Sequence, residues 1–187
     1  MEDILPLVIR GVIVGILIVT ALAAAYLVFG NSKASTADSE ITTLATGIQG
    51  AFGNQPDFTD LGNINCATGS SCTALVQANA IPANLIGASG LGNDPWGGAI
   101  TIAPAALPGN AGSTNSGFSI QYAGVPAGAC TTMLNNLSGY SEIDVGSTKL
   151  YPANSPSATG TNSPSPSVDS AACKGGGSVT VIYGPAG

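Results

Sequence analysis

No histidine occurs in the 187 residues, and four lysines and arginines stand against ten aspartates and glutamates. Without an imidazole the chain lacks the side chain best suited to moving protons near neutral pH. No serine, cysteine or lysine is paired with a base, no glycine-rich loop is set to cradle phosphate, and no cofactor motif is present. The pattern therefore argues against an enzyme and predicts no cofactor and no metal centre. Net charge is −6, and phosphate neutralisation by lysine and arginine is the main source of nucleic-acid affinity, so DNA and RNA are excluded as partners. Charged residues of either sign make up only 7% of the chain, against about 25% in ordinary soluble domains.

Cysteine is scarce but even in number: Cys66, Cys72, Cys130 and Cys173. With no histidine and no CxxC pair, two disulfides fit better than zinc, and disulfides place the chain in an oxidising compartment. Three pairings are open. The favoured one joins Cys66 to Cys72 around a small loop and Cys130 to Cys173 across a long distal segment.

What the chain does have is a long apolar run. Gly11 to Phe29 carries no charge, just enough for a membrane span of about 20 residues. Its tip is unusual, because Glu2, Asp3 and Pro6 precede it and Arg10 borders it. Proline is tolerated in a first helical turn, so the helix can begin near Leu5. Beyond Asn31 the period continues with one apolar face. Ala37, Ile41, Leu44, Ala45, Ile48 and Phe52 recur at spacings of three and four, with Lys33, Asp38, Glu40 and Gln49 elsewhere on the wheel. Gly50 and Gly53 supply the stop. The expectation is one helix over about residues 5–52, roughly 70 Å long.

After Asn54 the elements shorten. "CTALVQANAIP" reads as a helix ended before Pro82, and "ACTTMLNNLSGY" as one ended at Gly139. "AITIA", "GFSIQYAG", "SEIDVGSTKLYP" and "GSVTVIYG" alternate as strands, the third forming a hairpin at Gly146. Pro152 to Ser170 is rich in serine, threonine and proline and reads as a surface loop. The fold class is α+β: a long N-terminal helical spine packed on an antiparallel head with short helices and two disulfides. Three regions follow: 1–29, the hydrophobic membrane or core half of the spine; 30–53, its amphipathic half; and 54–187, a globular head with the loop at 152–170.

Close acid pairs are few. Asp57 with Asp60 and Glu142 with Asp144 stand out, with Asp94 in a loop. Glu142 and Asp144 alternate on one strand and share a side. They read as a solvated strand face in preference to a calcium site.

A half-apolar, half-amphipathic spine entering a disulfide-bearing α+β head resembles the type IV pilins. The resemblance leans to the type IVb branch, notably the pilins of thin conjugative pili. It is carried by the helix running into "QANAIPANLI", by "NDPWGG" ahead of "AITIA", and by the order "ACTTMLNNL", "SEIDVGSTKLY", Cys173 and a last strand. Met1 matches the apolar residue with which type IVb pilins begin after prepilin peptidase cleavage, so the expectation is a mature subunit with its spine retained.

The resemblance implies a major structural subunit that waits in the inner membrane. Assembly machinery then extracts it to polymerise with itself into an extracellular pilus for attachment or conjugative mating. The alternatives are a membrane-anchored adhesin that never polymerises and a type II secretion pseudopilin. Gly11, Gly15, Ala21 and Ala25 become the small residues that let spines approach. Where the family places a glutamate that pairs with a neighbouring subunit, this chain has Leu5. Glu2 and Asp3 are then the candidates to pair with Arg10 of an adjacent spine, because a guanidinium among apolar helices needs a partner.

Overall fold

A computed structural model describes residues 32–53, 55, 57–62, 66–88, 90–109, 113–152 and 163–185. Glu2, Asp3, Arg10, Gly11, Gly15, Ala21 and Ala25, and with them the apolar half of the spine, lie outside the described residues.

The first described element, α1, is helical over 32–52. Ala34, Ala37, Ile41, Leu44, Ala45, Ile48 and Phe52 are all buried, which is the face expected from their spacing. Two polar residues depart from expectation. Glu40, read as lying off the apolar face, is only 9% exposed, and Asp38 is half-buried. The head wraps further round α1 than an apolar pattern alone can report, because its rim meets the helix with polar side chains. Among the described residues no helix is long and apolar enough to cross a membrane.

The head follows as α2 (Thr59–Gly62), β1 (Cys66–Ala67), α3 (Thr73–Gln77), a 3₁₀ turn (Ala83–Leu85), β2 (Ile86–Gly87), β3 (Gly90–Leu91) and β4 (Ile100–Ala105). Then come β5 (Gly117–Val125), α4 (Ala127–Asn136), β6 (Glu142–Val145), β7 (Thr148–Leu150), α5 (Pro166–Ala172) and β8 (Gly177–Tyr183). Six strands form an antiparallel sheet in the order β1-β4-β5-β8-β6-β7, and β2 pairs with β3 apart from it. The strand last in sequence thus sits between β5 and β6.

Register aligns the apolar alternation into one face. Ile100 lies opposite Tyr122 and Ile102 opposite Ile120; Phe118 lies opposite Tyr183 and Ile120 opposite Val181; Val181 in turn pairs with Ile143. All are buried in one cluster with the apolar face of α1. An aromatic chain links the helix end to the sheet, running Phe52, Phe58, Phe118 and Tyr183 with centroids 6.2, 5.0 and 5.7 Å apart. The opposite face is polar, with Gln121 donating to Thr180 Oγ1 at 3.2 Å.

Element ends differ from the sequence reading in three places. Helix α3 stops at Gln77, well before Pro82, because Asn79 turns left-handed at φ 56° and the Ala80 amide closes back on the Leu75 carbonyl. Helix α4 stops at Asn136 because Leu137 is already extended, so Gly139 turns the chain after the helix has ended. The stretch read as loop as far as Ser170 becomes α5 from Pro166. There Ser165 Oγ accepts the Val168 amide and Pro166 occupies the first turn. These are a cap and a first-turn proline, local signals that outweigh the loop-like composition.

Candidate functional site

Two disulfides brace the head. Cys66, on edge strand β1, is bonded to Cys72 at the start of α3, with Cα atoms 4.9 Å apart. Cys130 of α4 is bonded to Cys173 at the end of α5, with Cα atoms 5.7 Å apart. The second bond fixes the segment that leads directly into β8, the strand on which the sheet closes.

The seam between α1 and the head is built from polar pairs. Asn136 Nδ2 donates to Asp38 Oδ2 at 3.0 Å, Asn84 Nδ2 to Glu40 Oε1 at 2.9 Å, Tyr122 Oη to Glu40 Oε2 at 3.4 Å, and Gln49 Nε2 to the Gly184 carbonyl at 2.8 Å. Every donor is neutral. Burial pushes Asp38 up to about 6, against the lowering effect of Asn136. Burial likewise raises Glu40, opposed by Tyr122 and reinforced by the nearby negative charge of Asp94. The same surroundings drive the Tyr122 phenol far above its usual range.

The opposite face of α1 is exposed and made of small side chains: Ser32, Ser35, Thr36, Ser39, Thr42, Thr43 and Thr46. Three of the hydroxyls are already spent on the helix. Thr36 donates to the Ser32 carbonyl at 3.0 Å, Thr43 to Ser39 at 2.7 Å and Thr46 to Thr42 at 2.8 Å. A threonine satisfied in this way needs no water for its proton and still offers a methyl group. Such a face can be covered at little desolvation cost. Alongside it runs an open groove of about 330 Å³ lined by Ser35, Thr36, Ser39, Glu40, Thr43, Pro82 and Asn84.

The other acids have local duties. Asp94, in "NDPWGG", is buried, and its Oδ1 accepts the Trp96 amide at 2.9 Å and the Gly98 amide at 2.7 Å, closing the turn ahead of β4. Gly98 is required there, since a Cβ would stand 1.7 Å from the Ala123 carbonyl oxygen. Asp57 Oδ1 accepts the Thr59 amide at 3.0 Å at the start of α2, and that hydrogen bond holds its carboxyl below the usual range. Glu142 and Asp144 share a strand face, but the face is not simply solvated. Glu142 is 4% exposed. Lys149, across the hairpin, pairs with it and also lies 3.4 Å from Asp144 Oδ2. Burial and the adjacent Glu142 push Asp144 up to about 6. Among the described residues no three potential ligands cluster for a metal.

Of the residues named from sequence, the structure joins the four cysteines. The spine residues Glu2, Asp3, Arg10, Gly11, Gly15, Ala21 and Ala25 fall outside the described part. The seam residues Asn84, Tyr122 and Asn136 were missed, because nothing in a single sequence pairs an isolated asparagine with a helix far away in the chain.

The described part is thus a helix with one face sunk in an antiparallel sheet, with a tight turn at Asp94 and a disulfide just ahead of the central strand β8. The family described as PilS N terminal matches residues 31–185, and the chain belongs to it. Similar solved structures include the crystal structure of TcpA, a type IV pilin from Vibrio cholerae El Tor biotype. It shares 17% identity over 84% of this chain and 99% of that one, with a TM-score of 0.47. A type IVb pilin from Salmonella typhi shares 21% identity over 80% of this chain and 99% of that one, with a TM-score of 0.46. No curated protein matches the chain.

Proposed function

We propose that this pilin is the major structural subunit of a type IVb pilus, held in the inner membrane by residues 1–29 and then polymerised through its N-terminal helix. The observation that carries this reading is the two-sidedness of α1, with one face buried in its own head and the other presenting small hydroxyl side chains, three of them bonded back to the helix. Copies stacked head to tail repeat one interface without closing, and such interfaces generate open helical filaments. Spines bundle at the centre of the filament, and each large apolar side chain buried there contributes about 1.5–3 kcal/mol.

In this arrangement the regions 1–29, 30–53 and 54–187 serve as core, neck and surface. Gly11, Gly15, Ala21 and Ala25 set the approach of neighbouring spines, and Arg10 pairs with Glu2 or Asp3 of an adjacent copy. The prepilin peptidase and the assembly machinery are its partners during biogenesis, and the finished filament serves attachment or conjugative mating. Electron microscopy of material sheared from the cell surface tests the reading. Long thin filaments containing this chain are expected. Membrane-bound monomers alone would replace it with the anchored adhesin, and short periplasmic assemblies with a secretion pseudopilin.

A further inference from the structure

Glu40 is a carboxylate nine-tenths buried, with two hydrogen bonds from neutral donors and no cation beside it among the described residues. The negative charge of Asp94 is of the same sign and reinforces the effect of burial on its proton affinity. A buried charge of this kind is costly until it is paired. Glu40 lines the groove beside the exposed face of α1. The rest of that lining offers acceptors: Thr36 and Thr43 have given their protons to backbone carbonyls, and Asn84 donates one amide hydrogen to Glu40, which leaves its own carbonyl oxygen. The groove therefore suits a compact donor of several hydrogen bonds, which is what an ammonium group provides.

The chain carries such a group on the same face. Lys33 is exposed on α1, seven residues before Glu40. Two helical turns, about 10 Å, separate them, too far for a direct pair within one helix. We infer that the groove receives the Lys33 ammonium of a second copy of this chain, whose parallel helix is offset along the axis by two turns. The inference rests on the filament reading. It adds a register-setting contact on the described half of the spine, independent of Arg10. The neighbour's charge enters where the head already supplies acceptors. One interface then repeats along the polymer, each subunit giving Lys33 to one neighbour and receiving Lys33 from another.

The test is zero-length carbodiimide cross-linking of sheared filaments, followed by denaturing electrophoresis and peptide mapping. The expected result is a ladder of covalent multimers joined by a Lys33–Glu40 amide. The ladder is lost in Lys33→Arg, which keeps the charge and the filaments but cannot form the amide. Lys33 is exposed, so Lys33→Glu folds normally; it is expected to lower filament yield at least tenfold with an unchanged amount of subunit in the membrane. Filaments that show no such link and tolerate Lys33→Glu at full yield would overturn the pairing alone. A parent chain that never forms filaments would overturn the filament reading, and the pairing with it.

Discussion

Gly47, in the middle of α1, lies so close to Ala80 that a Cβ would stand 2.5 Å from the Ala80 carbonyl oxygen and 2.7 Å from its Cα. The glycine costs the helix about 1 kcal/mol in propensity, and the close approach of the segment after α3 is what that cost secures. Gly50, one turn on, has nothing within 4 Å of the same construction. Gly47→Ala is expected to destabilise the detergent-solubilised chain by about 1–3 kcal/mol through overpacking, and Gly50→Ala to stabilise it by about 0.5–1 kcal/mol. Denaturant midpoints of the two variants check the contrast. Equal shifts in one direction would mean that the helix does not seat on Ala80.

The two disulfides close loops of very different length, spanning 6 and 43 residues. Loop-closure entropy assigns about 2 kcal/mol to the first and about 4 kcal/mol to the second. Cys130→Ala with Cys173→Ala is therefore expected to lose more stability than Cys66→Ala with Cys72→Ala. The larger loss falls on β8, which hydrogen exchange of residues 177–183 will register. Indistinguishable exchange in the two double variants would contradict this ranking.

Asp38 titrates near 6 in the folded chain, above its ordinary value of 3.8. The folded state therefore binds the proton more tightly than the unfolded state. This favours folding at low pH, and the advantage is lost as pH rises from about 4 through about 6. Asp38→Asn keeps an acceptor for Asn136 and removes the titration. It is expected to stabilise the chain at pH 7.5 by roughly 1 kcal/mol, after discounting for solvent screening at a half-buried site, and to change little at pH 4. A stabilisation equal at both pH values would assign the effect to packing.

If Arg10 fixes axial register with an acid of the neighbouring spine, Arg10→Ala lowers filament number without lowering subunit level. Asp3→Arg does the same, and combining it with Arg10→Asp restores assembly. Filament counts from micrographs, normalised to immunoblots of the membrane fraction, decide the point. Normal filaments from Arg10→Ala would remove Arg10 from the interface.

The sequence reading reached what local periodicity controls. The face of α1 was visible because alanine, isoleucine and leucine recur at helical spacing, and strands β4, β5, β6, β7 and β8 because their residues alternate before glycine-marked turns. Strands β1, β2 and β3 are two residues each, too short for alternation to register. Helix α5 was concealed by its own capping residues, since Ser165 and Pro166 look like the loop they terminate. The burial of Glu40 was illegible for a different reason. A glutamate on a helix normally belongs to solvent, and only Asn84 and Tyr122, brought in from remote segments, make its buried position tolerable.

The placement of β8 between β5 and β6 has a consequence in time. The ribosome delivers the chain in order, so β1, β4 and β5 emerge as one fragment of sheet, and the β6–β7 hairpin as another. Neither fragment has an edge partner until residues 177–183 arrive. Once β8 inserts, both fragments gain their ladders in one step, and Cys173, four residues ahead of the strand, is carried into reach of Cys130. The sheet therefore cannot close, nor the longer disulfide form in its native setting, until residues 177–183 have been delivered, so folding commits late and in one step.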